Sequence, residues 1–263
     1  MMSMFRFSAF CLCVLTATAA MRAQDATVPD DKVPVYDAVV IKPDKSGSGN
    51  SATNTSLSLY KATNVSLKSL LEDAYHIKED LITGVPRDVE SARFDIEAKV
   101  VDPDMDVLKH LKEDQRRSMR REILLDRFHV QAHIEVKTLP VYEMTLTKDG
   151  PKFKEAAKSE TGSGISSNIS GSEAEFTANN ITMAELAGSL YSIVKRTVLD
   201  STGLTGKYNF KLKWLPDDAP VTGNESGPSL FTALKEQLGI RMESAKGPVD
   251  TLVIDHAEMP SEN

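Results

Sequence analysis

The strongest constraint on how this chain can fold is a pattern that occurs twice. Asn64-Val65-Ser66-Leu67, followed by Leu70, Leu71, Ala74 and Tyr75, recurs 116 residues later as Asn180-Ile181-Thr182-Met183, followed by Leu186, Ala187, Leu190 and Tyr191. Ser66 and Thr182 stand where a side-chain oxygen caps the first free N–H groups of a helix, and the later residues fall on one helical face. Each helix leads into a short β-prone piece with a glycine turn, through Gly84 in one case and through Gly203 and Gly206 in the other. A strand of period two follows each. Phe94, Ile96, Ala98 and Val100 alternate with Asp95, Glu97 and Lys99, and Tyr208, Phe210, Leu212 and Trp214 alternate with Asn209, Lys211 and Lys213. With residues 57–62 and 174–178 as first strands, both units read β-α-β-β. Residues 229–254, with Leu230, Leu234, Leu238 and Gly239, read as a shorter third unit.

Between the two units the periodicity predicts one longer central helix over 104–126, carrying Leu108, Leu111, Met119, Ile123 and Leu124. Two strands are expected after it, 128–136 and 141–147, separated by Leu139-Pro140. Residues 43–56, 159–172 and 216–228 are rich in Gly, Ser, Asn, Asp and Pro and read as loops. The expected class is α+β, with repeated β-α-β-β units and mostly antiparallel sheet. The expected organisation is an N-terminal α+β portion over 33–153 with the first repeat, and a C-terminal α+β portion over 174–263 with the second repeat and the short third unit.

The first 23 residues read as a secretory signal peptide: Arg6, then an apolar run over 7–20, then small residues before Gln24. That run is too short to cross a bilayer as a stable helix. Both cysteines, Cys11 and Cys13, lie inside it, so the mature chain is expected to have no thiol, which removes a cysteine nucleophile, a thiolate metal site and a disulfide framework. Processing also removes Arg6 and Arg22, leaving 29 of the 31 basic residues against 38 acidic ones, a net charge of −9. An acidic chain of this kind disfavours nucleic acid as a partner. No later segment is long and apolar enough to span a membrane. The expected location is periplasmic or extracellular.

A further set of short strings runs along the chain: Phe94-Asp95-Ile96-Glu97-Ala98-Lys99, Leu124-Leu125-Asp126-Arg127-Phe128, Leu139-Pro140-Val141-Tyr142 and Lys148-Asp149-Gly150-Pro151-Lys152. They continue with Val198-Leu199-Asp200-Ser201-Thr202-Gly203, Glu236-Gln237-Leu238-Gly239-Ile240 and Val253-Ile254-Asp255. In these the chain resembles the secreted "soil-associated protein" family of soil bacteria, defined by a domain of unknown function of the DUF3738 type. The resemblance covers nearly all of the mature chain and implies export, but no activity and no site. In some relatives a similar domain is joined to a membrane metallopeptidase of the antibiotic-sensor type, which implies a sensing role. Such proteins often carry Trp shortly after the Gly-x-Pro turn, whereas here Gly84-Val85-Pro86 is followed by Arg87.

Several residue sets invite a chemical reading. His129 and His133, four apart, would share a face on a helix, but on the expected strand they stand about 13 Å apart and cannot ligate one metal. Asp102, Asp104, Asp106 and Glu113 have a calcium-loop spacing, yet Val107 replaces the glycine such a loop needs, and an acidic helix start is the better reading. Ser192-x-x-Lys195, Ser166-x-Asn168 and Lys45-Ser46-Gly47 have the form of penicillin-binding motifs but run in the reverse order. Gly203-x-x-Gly206-Lys207 is too short to cradle a phosphate and reads as a tight turn. Tyr75, Tyr191, Tyr208 and Trp214 could form a stacking face, though their positions make them core candidates first. No residue is therefore assigned as catalytic, cofactor-binding or metal-binding, and no cofactor is expected. The leading expectation is a non-catalytic extracytoplasmic binding or sensing module for a protein or envelope-polymer partner, working through sheet edges or a groove between the repeats. The alternative is a cell-envelope hydrolase using an Asp/Glu pair such as Asp95 and Glu97.

Overall fold

The computed structural model describes residues 32–170, 173–216 and 227–260. The expected leader over 1–23 lies outside them. In chain order the first elements are β1 (Ala38–Pro43), β2 (Ala52–Thr55), β3 (Leu59–Val65), α1 (Leu67–Tyr75), β4 (Ile82–Thr83), α2 (Arg87–Glu90), β5 (Phe94–Lys99), α3 (Met105–His110), α4 (Glu113–Phe128) and β6 (Gln131–Leu146). They are followed by β7 (Lys154–Glu155), β8 (Gly164–Ser170), β9 (Glu173–Ile181), α5 (Met183–Val194), β10 (Val198–Asp200), β11 (Tyr208–Trp214), α6 (Leu230–Ala233) and β12 (Ile240–His256). The class is α+β with predominantly antiparallel pairing. The described residues fall into two compact units. One holds 32–75, 90–129 and 259–260, and the other holds 76–89 and the described part of 130–258.

The first unit is built on a sheet of order β1-β5-β3-β2. Its period-two strands put Tyr60, Ala62, Phe94, Ile96 and Ala98 inside, and α1 contributes Leu67, Leu70, Leu71 and Ala74 to the same core. Phe94 meets Phe128 of α4 edge to face at 5.1 Å. Each such fully buried side chain contributes roughly 1.5–3 kcal/mol.

The second unit carries a sheet of order β7-β11-β9-β8, which has the same wiring strand for strand. The registers coincide as well. Tyr60 pairs with Ala98, Ala62 with Ile96 and Val65 with Phe94; in the second sheet Phe176 pairs with Leu212, Ala178 with Phe210 and Ile181 with Tyr208. Both β3 and β9 bulge just before their helix, at an asparagine held in the left-handed region, Asn64 at φ 53° and Asn180 at φ 53°. The bonds that hold these asparagines also match. Asp95 Oδ1 accepts Asn64 N–H at 2.9 Å and Asn209 Oδ1 accepts Asn180 N–H at 2.6 Å. The Asn64 amide donates to the carbonyls of Ser48 and Asn50, and the Asn180 amide to those of Glu160 and Gly162. One residue pair further on, Ser66 Oγ accepts Ser69 N–H and Thr182 Oγ1 accepts Glu185 N–H, as the sequence predicts for two N-caps.

A third sheet, of order β10-β6-β12-β4, belongs to the second unit. Its spine is the long antiparallel pair β6 and β12, in one register from Leu146 opposite Ile240 to Ala132 opposite Ile254, with a shift before His256 opposite Gln131. The short strands dock in parallel at its two ends: Ile82 beside Leu252 of β12, and Val198 beside Tyr142 of β6. The shift of 116 takes Ile82 to Val198, and a shift of 110, from Tyr142 to Leu252, relates the strands they meet. Each half of the chain thus lends its short strand to the long strand of the other half.

Four expectations are corrected here. The predicted helix over 104–126 is broken: Leu111 and Lys112 are extended, with ψ of 130° and 159°, and the Leu108 carbonyl is taken by the Arg116 guanidinium at 2.6 Å. Helix α4 runs through Phe128, so His129 is its left-handed C-cap rather than a strand residue. The two predicted strands 128–136 and 141–147 are one strand, β6, passing through Pro140, which is possible because β10 reaches only Tyr142–Met144 and leaves Pro140 a side with no ladder bond to make. The predicted loops 43–56 and 159–172 contain the edge strands β2 and β8, each paired along one side.

Candidate functional site

Of the sequence-predicted candidates, Ser192, Lys195 and Trp214 line one groove in the second unit, and the others do not join them. His129 caps α4, while His133 lies on β6 with its Nδ1 2.8 Å from Asp255 Oδ2, on an exposed face. Asp104 is the N-cap of α3 and accepts the N–H groups of Asp106 and Val107, which uses the carboxylate that a calcium loop would need. Among the described residues no group of three or more His, Cys, Asp or Glu is placed to hold a metal ion. The Ser192 hydroxyl donates to the Ser189 carbonyl at 2.8 Å, and Lys195 is the left-handed C-cap of α5. Gly203 takes φ of 72° in the tight turn, where Asp200 Oδ1 accepts both Thr202 N–H and Thr202 Oγ1–H.

The Asp95 and Glu97 carboxylates share a face of β5 and line a surface concavity of about 330 Å³ together with Lys42 and Lys61, but each is engaged. Asp95 fixes Asn64, and Glu97 is bound by Lys99 at 2.6 Å, a hydrogen bond that lowers its pKa. Tyr208 and Trp214 are core residues. Tyr75 and Tyr191 are half-buried and carry polar partners instead: the Arg121 guanidinium lies 5.6 Å from the Tyr75 ring, the Lys78 ammonium lies 5.4 Å from the Tyr191 ring, and the Tyr191 hydroxyl donates to Asp80.

Two concave features of similar size escaped sequence reasoning: one of about 540 Å³ in the first unit, lined by Val33, Gln115 and Met119 among others, and a groove in the second unit. Helix α5 and the upper ends of β8, β9 and β11 enclose a groove of about 560 Å³. Phe176 and Trp214, packed edge to face at 4.9 Å, form its floor. Gly188, Ser189, Ser192 and Lys195 of α5 form its wall, so the groove combines an apolar floor, a hydroxyl-bearing side and one cation. Gly188 is in a helix interior, where glycine destabilises by roughly 1 kcal/mol relative to alanine, and a Cβ there would meet nothing within 4 Å. The volume lies within the range of ligand sites, roughly 300–1,000 Å³.

The corresponding space in the first unit is full. Phe176, Ser189 and Trp214 correspond by the strand registers and helix caps to Tyr60, Asp73 and Val100. Tyr36 lies against Tyr60 at 6.3 Å between ring centres. Arg120 of α4, only 7 % exposed, places Nε 3.2 Å from Asp73 Oδ2 and Nη2 2.7 Å from Glu113 Oε1. Val100 packs against a cluster of Leu108, Leu111 and Met119. Burial raises the pKa of both Tyr36 and Tyr60. Helix α3 and the first half of α4, which supply this filling, have no helical counterpart among the described residues between β11 and α6. A second surface is the free edge of β6. Beyond the reach of β10 it exposes Ile134 and Val136, at 48 % and 62 %.

A two-unit α+β chain with a sheet-and-helix groove is the class that the geometry defines. Residues 68–257 match the family described as Protein of unknown function (DUF3738), and the chain belongs to that family. No curated protein and no solved structure matches it. No helix among the described residues is long and apolar enough to cross a membrane.

Proposed function

We propose that this protein is an exported, non-catalytic binding or sensing module whose binding surface is the groove between α5 and the sheet of the second unit. The observation that carries the reading is the open space over Phe176, Trp214 and Ser189, in a position where the first unit uses its own chain to fill the matching space. The first unit has a concavity of about 540 Å³ elsewhere, beside α4, but its space over Tyr60 and Val100 is taken by its own side chains, so among the described residues the groove is a difference at one matched position of the two sheets. The candidate reactive groups support the same reading, because Asp95, Glu97, Asp104 and Ser192 are each held by a structural bond. Export rests on the leader over 1–23, and the intact mass of protein recovered from the periplasm or medium should place the new N-terminus between residues 20 and 25.

The test of binding is affinity capture from envelope-polymer and secreted-protein fractions, run in parallel with the wild-type chain and Gly188→Leu. The variant fills the groove from an exposed helical position that leucine suits better than glycine. A partner retained by the wild type and lost by the variant supports the reading. Identical capture by the two proteins overturns it.

A further inference from the structure

We infer that two copies of this protein pair edge to edge through β6, antiparallel about a two-fold axis at Val136. The pairing does not involve the groove of the second unit. Among the described residues no strand lies beside β6 between Gln131 and Val141 on the side away from β12, because β10 reaches only Tyr142–Met144. Which backbone groups point to that side follows from β10. Tyr142 N–H donates to the Thr197 carbonyl at 2.8 Å, and the Met144 carbonyl accepts Ser201 N–H at 2.8 Å. The ladder to β12 runs without a shift from Leu146 to Ala132, so alternation turns the same groups of Ala132, Ile134, Val136 and Thr138 outward. An outward row of this kind is a template for another strand.

Of the two long strands, β6 is the one fitted for this. Ile134, Val136 and Thr138 are β-branched, which suits extended backbone and cross-strand contact, and Ile134 and Val136 are 48 % and 62 % exposed. The shift of 110 that relates β6 to β12 sets Ser244, Lys246 and Pro248 at these positions, so β12 has a lysine at the centre and lacks a donor beside it.

The occupant follows from charge. Proteins guard their sheet edges with charged side chains and proline, and here those guards pass one register. Within one chain Lys137 lies 3.0 Å from Glu135, so both side chains stand on one face of β6. An axis at Val136 sets Glu135 of each copy opposite Lys137 of the other, and Ile134 opposite Thr138. An axis at Glu135 or at Lys137 opposes like charges. An axis at Ile134 leaves Lys137 facing Gln131, and an axis at Thr138 sets Val136 opposite Pro140, which has no N–H to give. With the axis at Val136, Pro140 falls opposite Ala132, where the ladder ends after about six backbone bonds. A strand that is its own charge complement fits a second copy of itself.

Sedimentation velocity of the processed chain, over about a hundredfold range of concentration, reads the pairing. The expected result is a reversible shift from monomer to dimer. Glu135→Lys and Lys137→Glu should each weaken the dimer about tenfold or more, because each opposes like charges across the axis. The double variant Glu135→Lys/Lys137→Glu restores opposite charges in this register and should return to within about threefold of the wild type. Val136→Pro deletes the outward donor at the axis without touching the ladder to β12, as Pro140 already does, and should abolish the dimer. Thermal melts establish that each variant folds. A chain that stays monomeric over the whole range overturns the inference, as does a dimer that none of these changes weakens. A dimer lost in the single charge variants and not recovered in the double one also overturns it, because the register would then be wrong.

Discussion

The sheet of the first unit and the sheet of the second have one wiring, one register and one bulge, yet they treat their concave faces differently. Over Tyr60 and Val100 the chain inserts Tyr36, Arg120 and the Leu108–Leu111–Met119 cluster. Over Phe176 and Trp214 it leaves a groove. The parts that agree are those the backbone requires: left-handed asparagines, helix caps and the alternation that buries one face. The parts that differ are side chains and connections laid over that frame, where changes are tolerated without loss of the fold and where binding sites arise.

The largest effect should come from testing how far the match extends to the helix ends. Gly239, at φ 68°, ends the helical turn before β12, and His129, at φ 51°, ends α4 before β6. A Cβ on Gly239 would stand 2.1 Å from the Gly150 carbonyl oxygen, so Gly239→Ala combines left-handed strain with a backbone collision. We expect a loss of about 2–4 kcal/mol in urea melts. His129 already carries a side chain in the same conformation and is exposed, so His129→Gly should stay within about 1 kcal/mol of the wild type. Equal destabilisation by the two changes would show that these positions are not equivalent.

That asymmetry bears on what the sequence could disclose. The caps at Ser66 and Thr182 and the strands at 94–99 and 208–214 were legible because each is a local pattern whose residues announce their own environment. Strand β12 was not, because Arg241–Asp250 includes Glu243, Lys246, Gly247 and Pro248 and has little intrinsic preference for extended structure; it is held extended by β6 along its whole length. Strand β2 exposes all four residues and β8 is rich in serine, so neither has an apolar face to alternate. They are strands only because β3 and β9 present free edges to them. The groove was hidden for a related reason. Phe176 and Gly188 look ordinary in their own elements, Ser192 and Trp214 stand out in the sequence only within other patterns, and only the tertiary arrangement brings the four around one space.

The next largest effect concerns the filling itself. Arg120→Leu removes a nearly buried cation with two carboxylate partners and should destabilise by about 2–3 kcal/mol, less than for a fully buried ion pair because Glu113 is 56 % exposed and can rehydrate, although Asp73 Oδ2 is left buried. The converse change in the second unit, Ser189→Asp, adds a carboxylate at the edge of the open groove and should alter stability by less than about 0.5 kcal/mol. A large penalty for Ser189→Asp would mean that the groove is closed in solution. Smaller again, Asn64→Gly and Asn180→Gly keep the left-handed backbone and delete the side-chain bonds to two carbonyls. Each should cost about 1–2 kcal/mol, with Asn64 the larger because it is the more buried. Opposite signs for the two would break the correspondence at its most specific point.

The smallest expected effect separates the two outer faces by pH. Lys99 and Lys213 occupy matching positions on β5 and β11, but Lys99 holds one carboxylate, Glu97, whereas Lys213 holds two, with Nζ 3.1 Å from Glu173 and 3.2 Å from Glu175. The hydrogen bond from Lys99 lowers the pKa of Glu97 below 4.5, and the hydrogen bond from Lys213 does the same for Glu175. The hydrogen bond to Glu173 raises the pKa of Lys213 above 10.5. A carboxylate with a depressed folded pKa stabilises above its unfolded value and loses that contribution as pH falls through the folded one. A lysine with a raised folded pKa stabilises below its unfolded value and loses it as pH rises through the folded one. The melting-temperature gap between the wild type and Lys213→Met should therefore be flat between the two limits, close at both the acid and the alkaline end, and shrink in high salt because Lys213 and Glu173 are exposed and Glu175 is partly so. Lys99→Met should show a smaller gap that closes on the acid side as Glu97 is protonated. Thermal melts across that pH range, at low and high salt, would check this; a gap for Lys213→Met that persists in acid would show that the contribution of Lys213 does not depend on ionised Glu173 and Glu175.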